Sequence, residues 1–194
     1  MTDIATLTKL GYTIFNVNKQ KAPVHNGVRM MGWNKMPHDE LTKKLDINSN
    51  MFGMRMGIQG NGKHILSLDF DCCKKMEDGT GYIYCGSTEA LFYDYLSFAG
   101  SKTYDGVFDS STQCNRNVLI DYSNCPKLIS TIQELDTAKI TLMGLEVLLG
   151  GNQVIPPTMT KCKIRNRFED QRKFQSERPF YVMENDEDNI MGFL

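Results

Sequence analysis

Several features that would assign the chain to a common class are missing from its 194 residues. No run of 18 apolar residues is present, which argues against a membrane-spanning helix. No apolar segment follows the polar N-terminal residues, as a secretory signal would require. The six cysteines form no CxxC pair, and a set of His64 with Cys72, Cys73 and Cys85 matches no usual zinc spacing. We therefore expect an intracellular protein that is not secreted, with reduced cysteines.

A strong excess of positive charge is also missing. Lysine and arginine total 22 and aspartate and glutamate total 23, so the net charge is −1. Nucleic-acid binders are often strongly basic, and any such surface here must come from local clustering of cations. Hydrophobic residues make up 41% of the chain, which is enough for a core and excludes a compositionally disordered protein.

Strand and helix patterns alternate without the regular spacing of βαβ units. We predict strands in 11–17, 51–57, 64–71, 107–108 and 118–120, helices in 37–45, 88–98 and 126–135, and a hairpin of 142–149 with 153–155. These elements predict an α+β fold, with helices packed on a sheet. Trp33 and the Tyr-rich stretch 82–95 are interpreted as packing residues.

Two aspartates in the apolar strand 64–71 are the most informative residues. Asp69 and Asp71 are two positions apart, so on a strand they share one face, about 6–7 Å from each other. Leu66, Leu68 and Phe70 then occupy the other face, towards a core. Two carboxylates on one face can hold Mg²⁺ or Mn²⁺, which prefer oxygen ligands. A strand end with two solvated aspartates is the alternative.

A third carboxylate, Glu146, lies among apolar residues in 144–149. Burying it is costly unless it is paired or binds a metal, although an edge strand would leave it in water. Together with Asp69 and Asp71 it would suit a two-metal site for phosphoryl chemistry.

Short motifs occur in a fixed order between residues 11 and 160. They are an opening strand, a Lys-x-Pro loop, a tryptophan, a Gly-containing strand, an acidic strand, a third acid and a Pro-Pro-Thr signature, found at 11–17, 21–23, Trp33, 52–57, 66–71, Glu146 and 154–158. This order resembles the archaeo-eukaryotic primase superfamily, specifically the primase–polymerase domains of viral and plasmid replication proteins.

The resemblance implies a two-lobed primase–polymerase fold, with an RRM-like antiparallel or mixed sheet carrying the acids. It implies a template-directed nucleotidyltransferase with DNA primase or DNA polymerase activity. Asp69, Asp71 and Glu146 would be catalytic and would bind two Mg²⁺ or Mn²⁺ ions. Nucleoside triphosphates would be the substrates, with single-stranded DNA template and primer as partners. Residues 1–180 would form the catalytic domain, and the acidic 181–194 would begin a linker to a C-terminal helicase region.

The segment that corresponds to the second family motif departs from the family pattern. Asn117 stands where the family usually has a histidine that contacts the nucleotide phosphates, and an amide carries no positive charge. Asn115 and Arg116 are candidates to compensate. The alternative function is therefore a catalytically degenerate primase fold that binds single-stranded DNA.

Phosphate and DNA contacts are predicted for scattered cations. The nucleotide-binding candidates, besides Asn115, Arg116 and Asn117, are Arg55, Lys63, Lys161 and Lys163. Four cations at alternate positions of 161–167 would share one face of an extended strand and suit a phosphate backbone, although a solvated edge strand is an equal alternative. The DNA-binding candidates are Lys161, Lys163, Arg165, Arg167 and Lys21.

One segment resembles a phosphate-binding P-loop. The sequence of 57–64 places Gly57, Gly62 and Lys63 at near-P-loop spacing, but His64 replaces the hydroxyl residue and a strand follows. A P-loop must open a helix, so a hairpin turn is the better prediction.

Overall fold

The computed structural model describes residues 3–76, 78, 80–109, 115–142, 144–158, 161–162, 167–168 and 172–186. The helices are α1 (Ile4–Lys9), α2 (His38–Lys43), α3 (Gly86–Ala99) and α4 (Pro126–Leu135), with 3₁₀ turns at Trp33–Lys35 and Gly100–Lys102. No helix within these ranges is both long and apolar enough to cross a membrane.

The strands follow one another along the chain in short segments. They are β1 (Ile14–Val17), β2 (Pro23–His25), β3 (Val28–Arg29), β4 (Phe52–Arg55), β5 (Gly57–Ile58), β6 (His64–Phe70), β7 (Cys73–Lys75), β8 (Tyr82–Tyr84), β9 (Val107–Asp109), β10 (Arg116–Asp121), β11 (Lys139–Leu142), β12 (Leu145–Leu148), β13 (Asn152–Ile155), β14 (Lys161–Cys162), β15 (Arg167–Phe168) and β16 (Tyr181–Val182).

Two larger sheets organise these strands. The first has the order β13-β4-β1-β2-β3, and the second has the order β11-β12-β6-β10-β16, with β5 beside β6 and β9 beside β10. Their strand pairs are antiparallel, except for the parallel pair of β10 and β16. The predicted α+β class is confirmed.

The central strand β6 is buried on both faces, as its apolar composition favours. Leu66, Leu68 and Phe70 are fully buried and pack with α3 and α4, as the alternation predicts. Ile65, on the opposite face, joins a cluster shared with the first sheet and α1. The acid-bearing strand is therefore packed between the helices and the first sheet.

Most predicted helices and strands are present. The helix predicted at 126–135 matches α4, and α2 and α3 lie within two residues of their predicted bounds. Trp33 packs against Phe15, with ring centroids 5.0 Å apart. Tyr95 is buried, but Tyr84 and Tyr93 remain 52% and 58% exposed, so the packing interpretation of the Tyr-rich stretch is wrong for these two residues.

The predicted hairpin of 142–149 with 153–155 is wrong. β12 pairs with β11 and β6 in the second sheet, whereas β13 pairs with β4 in the first. Gly151 adopts a φ of 75°, which favours glycine and turns the chain from one sheet into the other. Two apolar segments joined by a glycine turn predict a hairpin locally, but β12 pairs with the preceding β11 and the distant β6, and β13 pairs with the distant β4.

The P-loop-like segment is a hairpin, as predicted. It joins β5 to β6, and the amide of Gln59 donates to the carbonyl of Lys63 at 2.8 Å. No helix begins after it. The Lys63 ammonium lies 3.1 Å from Asp121 Oδ2.

The predicted continuous strand over 161–167 is also wrong. β14 and β15 are antiparallel partners, with Lys161 opposite Phe168 and Cys162 opposite Arg167. Lys161 and Arg167 therefore belong to two paired strands that run in opposite directions, and not to one continuous strand. Lys163 and Arg165 lie outside the described residues.

The cysteines differ in oxidation. Cys72, Cys85 and Cys125 are free thiols, but Cys73 is disulfide-bonded, so the prediction of reduced cysteines is wrong for Cys73. Cys72 is buried in the core, and its neighbour Cys73 points to the other side, as successive residues in extended chain do.

The acidic segment predicted as a linker is partly folded. Tyr181 and Met183 are buried, and β16 completes one edge of the second sheet. The Asp186 carboxylate accepts from the amides of Lys127 and Leu128 at 3.0 and 3.2 Å. The predicted boundary at residue 180 therefore falls inside the fold.

The N-cap residue of α4, Cys125, makes no side-chain cap bond. The Asp186 carboxylate, from outside the helix, accepts from the first-turn amides instead. We expect Asp186→Ala to lower the free energy of unfolding by about 1 kcal/mol, since two first-turn amides lose their acceptor and the helix dipole loses its counter-charge. Urea denaturation measures the change. Glu134→Ala, on the exposed face of α4, is the control and should change stability by less than about 0.5 kcal/mol. Equal stability of the two variants would contradict the capping role.

Candidate active site

Three polar residues lie side by side across the second sheet. In the strand register, Glu146 of β12 and Asn117 of β10 are each directly opposite Asp69 of β6. Directly opposed residues share a face, with Cβ atoms about 4.5–5.5 Å apart. The structure thus brings together Asp69 and Glu146, as the sequence predicts, on the face that continues into the cluster shared with the first sheet.

Asp71 extends this row just beyond the end of β6. Its amide donates to the carbonyl of Gly144 at 3.0 Å, and its carboxylate accepts from the Asn115 amide. The side-chain oxygen Oδ1 of Asn115 in turn accepts a hydrogen bond from the backbone amide of Cys73 at 2.9 Å. Asn115, predicted as a nucleotide contact, therefore has a visible role in orienting Asp71.

The Asp69 carboxyl lies in a poorly solvated position although the residue is partly exposed. Desolvation, and then the nearby charge of Asp71, raise its pKa to about 6. Lys21, Asn117 and Arg172 act in the opposite direction. A carboxyl group whose pKa is shifted by desolvation and a neighbouring charge is a candidate for a functional site.

Arg172 is a buried arginine at this site that the sequence analysis missed. Its Nη1 donates to the carbonyl of Val154 at 3.0 Å, and its amide donates to that of Thr158 at 3.3 Å. Desolvation lowers its pKa to about 10, and the charge of Asp69 opposes this shift. The guanidinium remains protonated at neutral pH, so it places a fixed positive charge near the acids.

The threonine of the Pro-Pro-Thr signature, Thr158, contacts the backbone of Arg172. The Thr158 hydroxyl donates to the carbonyl of Phe52 at 3.0 Å and accepts from its amide at 2.6 Å. Thr158 is fully buried. These two hydrogen bonds anchor the loop to β4. The backbone carbonyl of Thr158 then accepts from the backbone amide of Arg172.

Two further cations approach the acids. Lys139 of β11 places its Nζ 2.9 Å from Glu146 Oε1, and Glu146, Asp69 and Asp71 all raise the pKa of Lys139. Lys21, predicted to bind DNA, lies in the loop before β2 and lowers the pKa of Asp69. Lys139 was missed because β11 was not predicted as a strand. Only the register of β11 with β12 shows that Lys139 lies diagonally across from Glu146.

Two buried polar atoms of the acid face lack partners among the described residues. They are Asn117 Nδ2 and Ser67 Oγ. The Asn117 amide is close enough to lower the pKa of Asp69, but Nδ2 has no hydrogen bond of acceptable geometry. A buried polar atom without a partner costs about 1–3 kcal/mol, so these atoms add to the energetic cost of the acid face.

Other predicted phosphate contacts are not brought to the acids. Arg116 lies on the helix-covered face of the sheet, where it pairs with Asp109 at 3.2 Å and stacks over Phe92. Lys63 precedes β6 and is about 20 Å along the strand from Asp69. Arg55 donates to the carbonyl of Met36 at 2.6 Å. The side chains of Lys161 and Arg167 lie outside the described part of the chain.

The acids suit a hard divalent cation in chemistry, since Asp69, Asp71 and Glu146 offer only oxygen ligands. Within the described ranges, however, no three His, Cys, Asp or Glu side chains converge closely enough to form a metal centre as they stand. Glu146 is engaged by Lys139, and metal binding would require its release.

A scan against protein-family models finds no match to this chain, and a search of curated proteins finds no similar sequence.

The raised pKa of Asp69 predicts a dependence of stability on pH. Its folded pKa is about 6 against an ordinary value of 3.8, so ionisation destabilises the fold above pH 6 and has no effect below about pH 4. We expect Asp69→Asn to raise the free energy of unfolding at pH 7.5 by on the order of 1–2 kcal/mol. This gain should disappear as the pH falls from 6 to 4.

Urea denaturation in the presence of EDTA at pH 4.5, 6 and 7.5 checks the expectation. Asp94→Asn, which removes an exposed carboxylate of α3, is the matched control and should change little at any of these pH values. A less stable Asp69→Asn at pH 7.5 would show that the carboxylate is already compensated in the fold.

Proposed function

We propose that the chain is a metal-dependent nucleotidyltransferase that joins nucleotides on a single-stranded template. The observation that carries the proposal is the alignment of Asp69 with Glu146 across neighbouring strands, next to Asp71. Three carboxylates along one face of the second sheet supply the negative charge and the oxygen ligands that a two-metal site for phosphoryl transfer needs.

The local chemistry supports this proposal residue by residue. Two bound Mg²⁺ or Mn²⁺ ions would activate the attacking hydroxyl and stabilise the leaving pyrophosphate. Asp69, Asp71 and Glu146 would supply the oxygen ligands. The Arg172 guanidinium and the Lys21 ammonium would attract the triphosphate, because fixed cations form strong charge-assisted hydrogen bonds with phosphate oxygens. Asn117 would offer its unpaired Nδ2 as a neutral donor.

The arrangement of the sheets agrees with the primase–polymerase resemblance. The two sheets would be the two lobes, and the antiparallel β12-β6-β10 part of the second sheet would be the RRM-like element that carries the acids. The Pro-Pro-Thr signature lies where the chain passes from the first sheet towards Arg172, so the motif would contribute through that residue.

A synthesis assay tests the proposal. Wild-type protein should extend a primer, or start a chain, on single-stranded DNA in the presence of Mn²⁺ or Mg²⁺. We expect Asp69→Asn/Asp71→Asn to reduce product by at least about a hundredfold, since losing metal ligands should cost more than the 10- to 100-fold typical of an outer-sphere partner. Products are resolved on a denaturing gel.

Asp94→Asn serves as the control and should retain wild-type synthesis. Thermal denaturation adds a readout that does not need turnover, because Mn²⁺ should raise the melting temperature of the wild type and of Asp94→Asn, but not of the double variant. Full synthesis by the double variant would refute the assignment of the acids.

A catalytically degenerate module that binds single-stranded DNA is the second candidate. Asn117 favours it, since an amide replaces the charged phosphate contact that the resemblance implies. Such a module would show DNA affinity that falls steeply with salt and does not change with Mn²⁺, and it would make no product.

A further inference from the structure

Lys139 lies beside the acids, and the proposed reaction assigns it no role. Its ammonium lies 2.9 Å from Glu146 Oε1, and its electrostatic environment includes Asp69 and Asp71. Within the described residues, a protein cation therefore already occupies part of the space where a metal would bind.

The Lys139 side chain is free to move. β11 is the edge strand of the second sheet, and the side chain is 47% exposed. A lysine has a flexible four-carbon stem, so the ammonium can swing several ångströms without any change in the backbone. An exposed ion pair of this kind contributes little to stability, so breaking it is cheap.

Its position makes Lys139 a competitor of the metal. A cation cannot bind the Glu146 carboxylate fully while the ammonium holds it, and two positive charges at this distance repel each other. When the metal takes Glu146, the displaced ammonium needs a new anion. The phosphates of a nucleotide bound to that metal are the anionic groups that would be nearest.

We propose that Lys139 couples metal binding to nucleotide binding: it holds Glu146 in the metal-free protein, and passes to the triphosphate when the metal and nucleotide arrive. This inference rests on the proposed function. Without the nucleotide, Lys139 opposes the metal; with it, Lys139 stabilises the complex. Reciprocity then requires that nucleotide and metal strengthen each other's binding through this residue.

Calorimetric titration tests the coupling without any turnover. Mn²⁺ alone is titrated into the full chain, and then a non-hydrolysable nucleoside triphosphate is titrated in the presence of saturating Mn²⁺. Lys139→Gln should bind Mn²⁺ about threefold to tenfold more tightly than the wild type, because an exposed ion pair and a short-range repulsion are both removed. The same variant should bind the triphosphate several-fold more weakly.

Lys139→Arg keeps the charge and should remain close to the wild type in both titrations. Lys127→Gln removes an exposed lysine of α4, away from the acids, and should match the wild type. A residue with only a structural role would not give tighter metal binding on substitution, so the direction of the change is diagnostic.

The outcomes separate the inference from the proposed function. Unchanged or weaker Mn²⁺ binding by Lys139→Gln overturns the coupling, even if Asp69→Asn abolishes Mn²⁺ binding and so supports the metal site. Tighter Mn²⁺ binding with unchanged triphosphate affinity also overturns it, since the ammonium then has no role in the loaded site. Absence of Mn²⁺ binding by the wild type, both alone and in the presence of the triphosphate, overturns both proposals.

Discussion

The structure depends on one constraint, which is that β6 must be apolar on both faces and still end in carboxylates. Leu66, Leu68 and Phe70 anchor the strand to the helices, and Ile65 anchors it to the first sheet. Asp69 lies between Leu68 and Phe70, with its carboxyl group too poorly solvated to ionise at its ordinary pKa. The acid is therefore held rigidly by the packing that destabilises its charge, as is common where stability is exchanged for function.

The cations around Asp69 partly offset this cost, and each comes from a different part of the chain. Lys21 lies in a loop of the first sheet, Lys139 on the edge strand of the second, and Arg172 beyond the Pro-Pro-Thr loop. Burial fixes Arg172, whereas Lys139 is exposed and adjustable. A buried arginine and an exposed lysine suit different tasks, since a buried guanidinium is held in place by its surroundings and an exposed ammonium sits on a flexible stem.

Local patterns account for much of the fold. The alternation of apolar residues in β6 and their helical spacing in α4 could be predicted, because both patterns involve only residues close together in the sequence. The pairing of β13 with β4 depends on a distant partner, which local patterns do not contain. β11 pairs with the neighbouring β12, but it is largely exposed at an edge of the second sheet and lacks the apolar pattern that marks a half-buried strand. The same reason explains the site: Asp69 and Asp71 share a strand and were found together, whereas Arg172 and Lys139 approach them only through tertiary register. Lys63 and Arg116 had suitable charges, but the geometry directs them elsewhere.

Gly150 and Gly151 connect a strand of the second sheet to a strand of the first sheet. β12 and β13 are consecutive in the chain but belong to different sheets, so the glycine pair is one place where the chain passes between the sheets. Met56, between β4 and β5, is another. The short segment that carries Glu146 is therefore tied to the second sheet through β12 and, a few residues later, to the first sheet through β13.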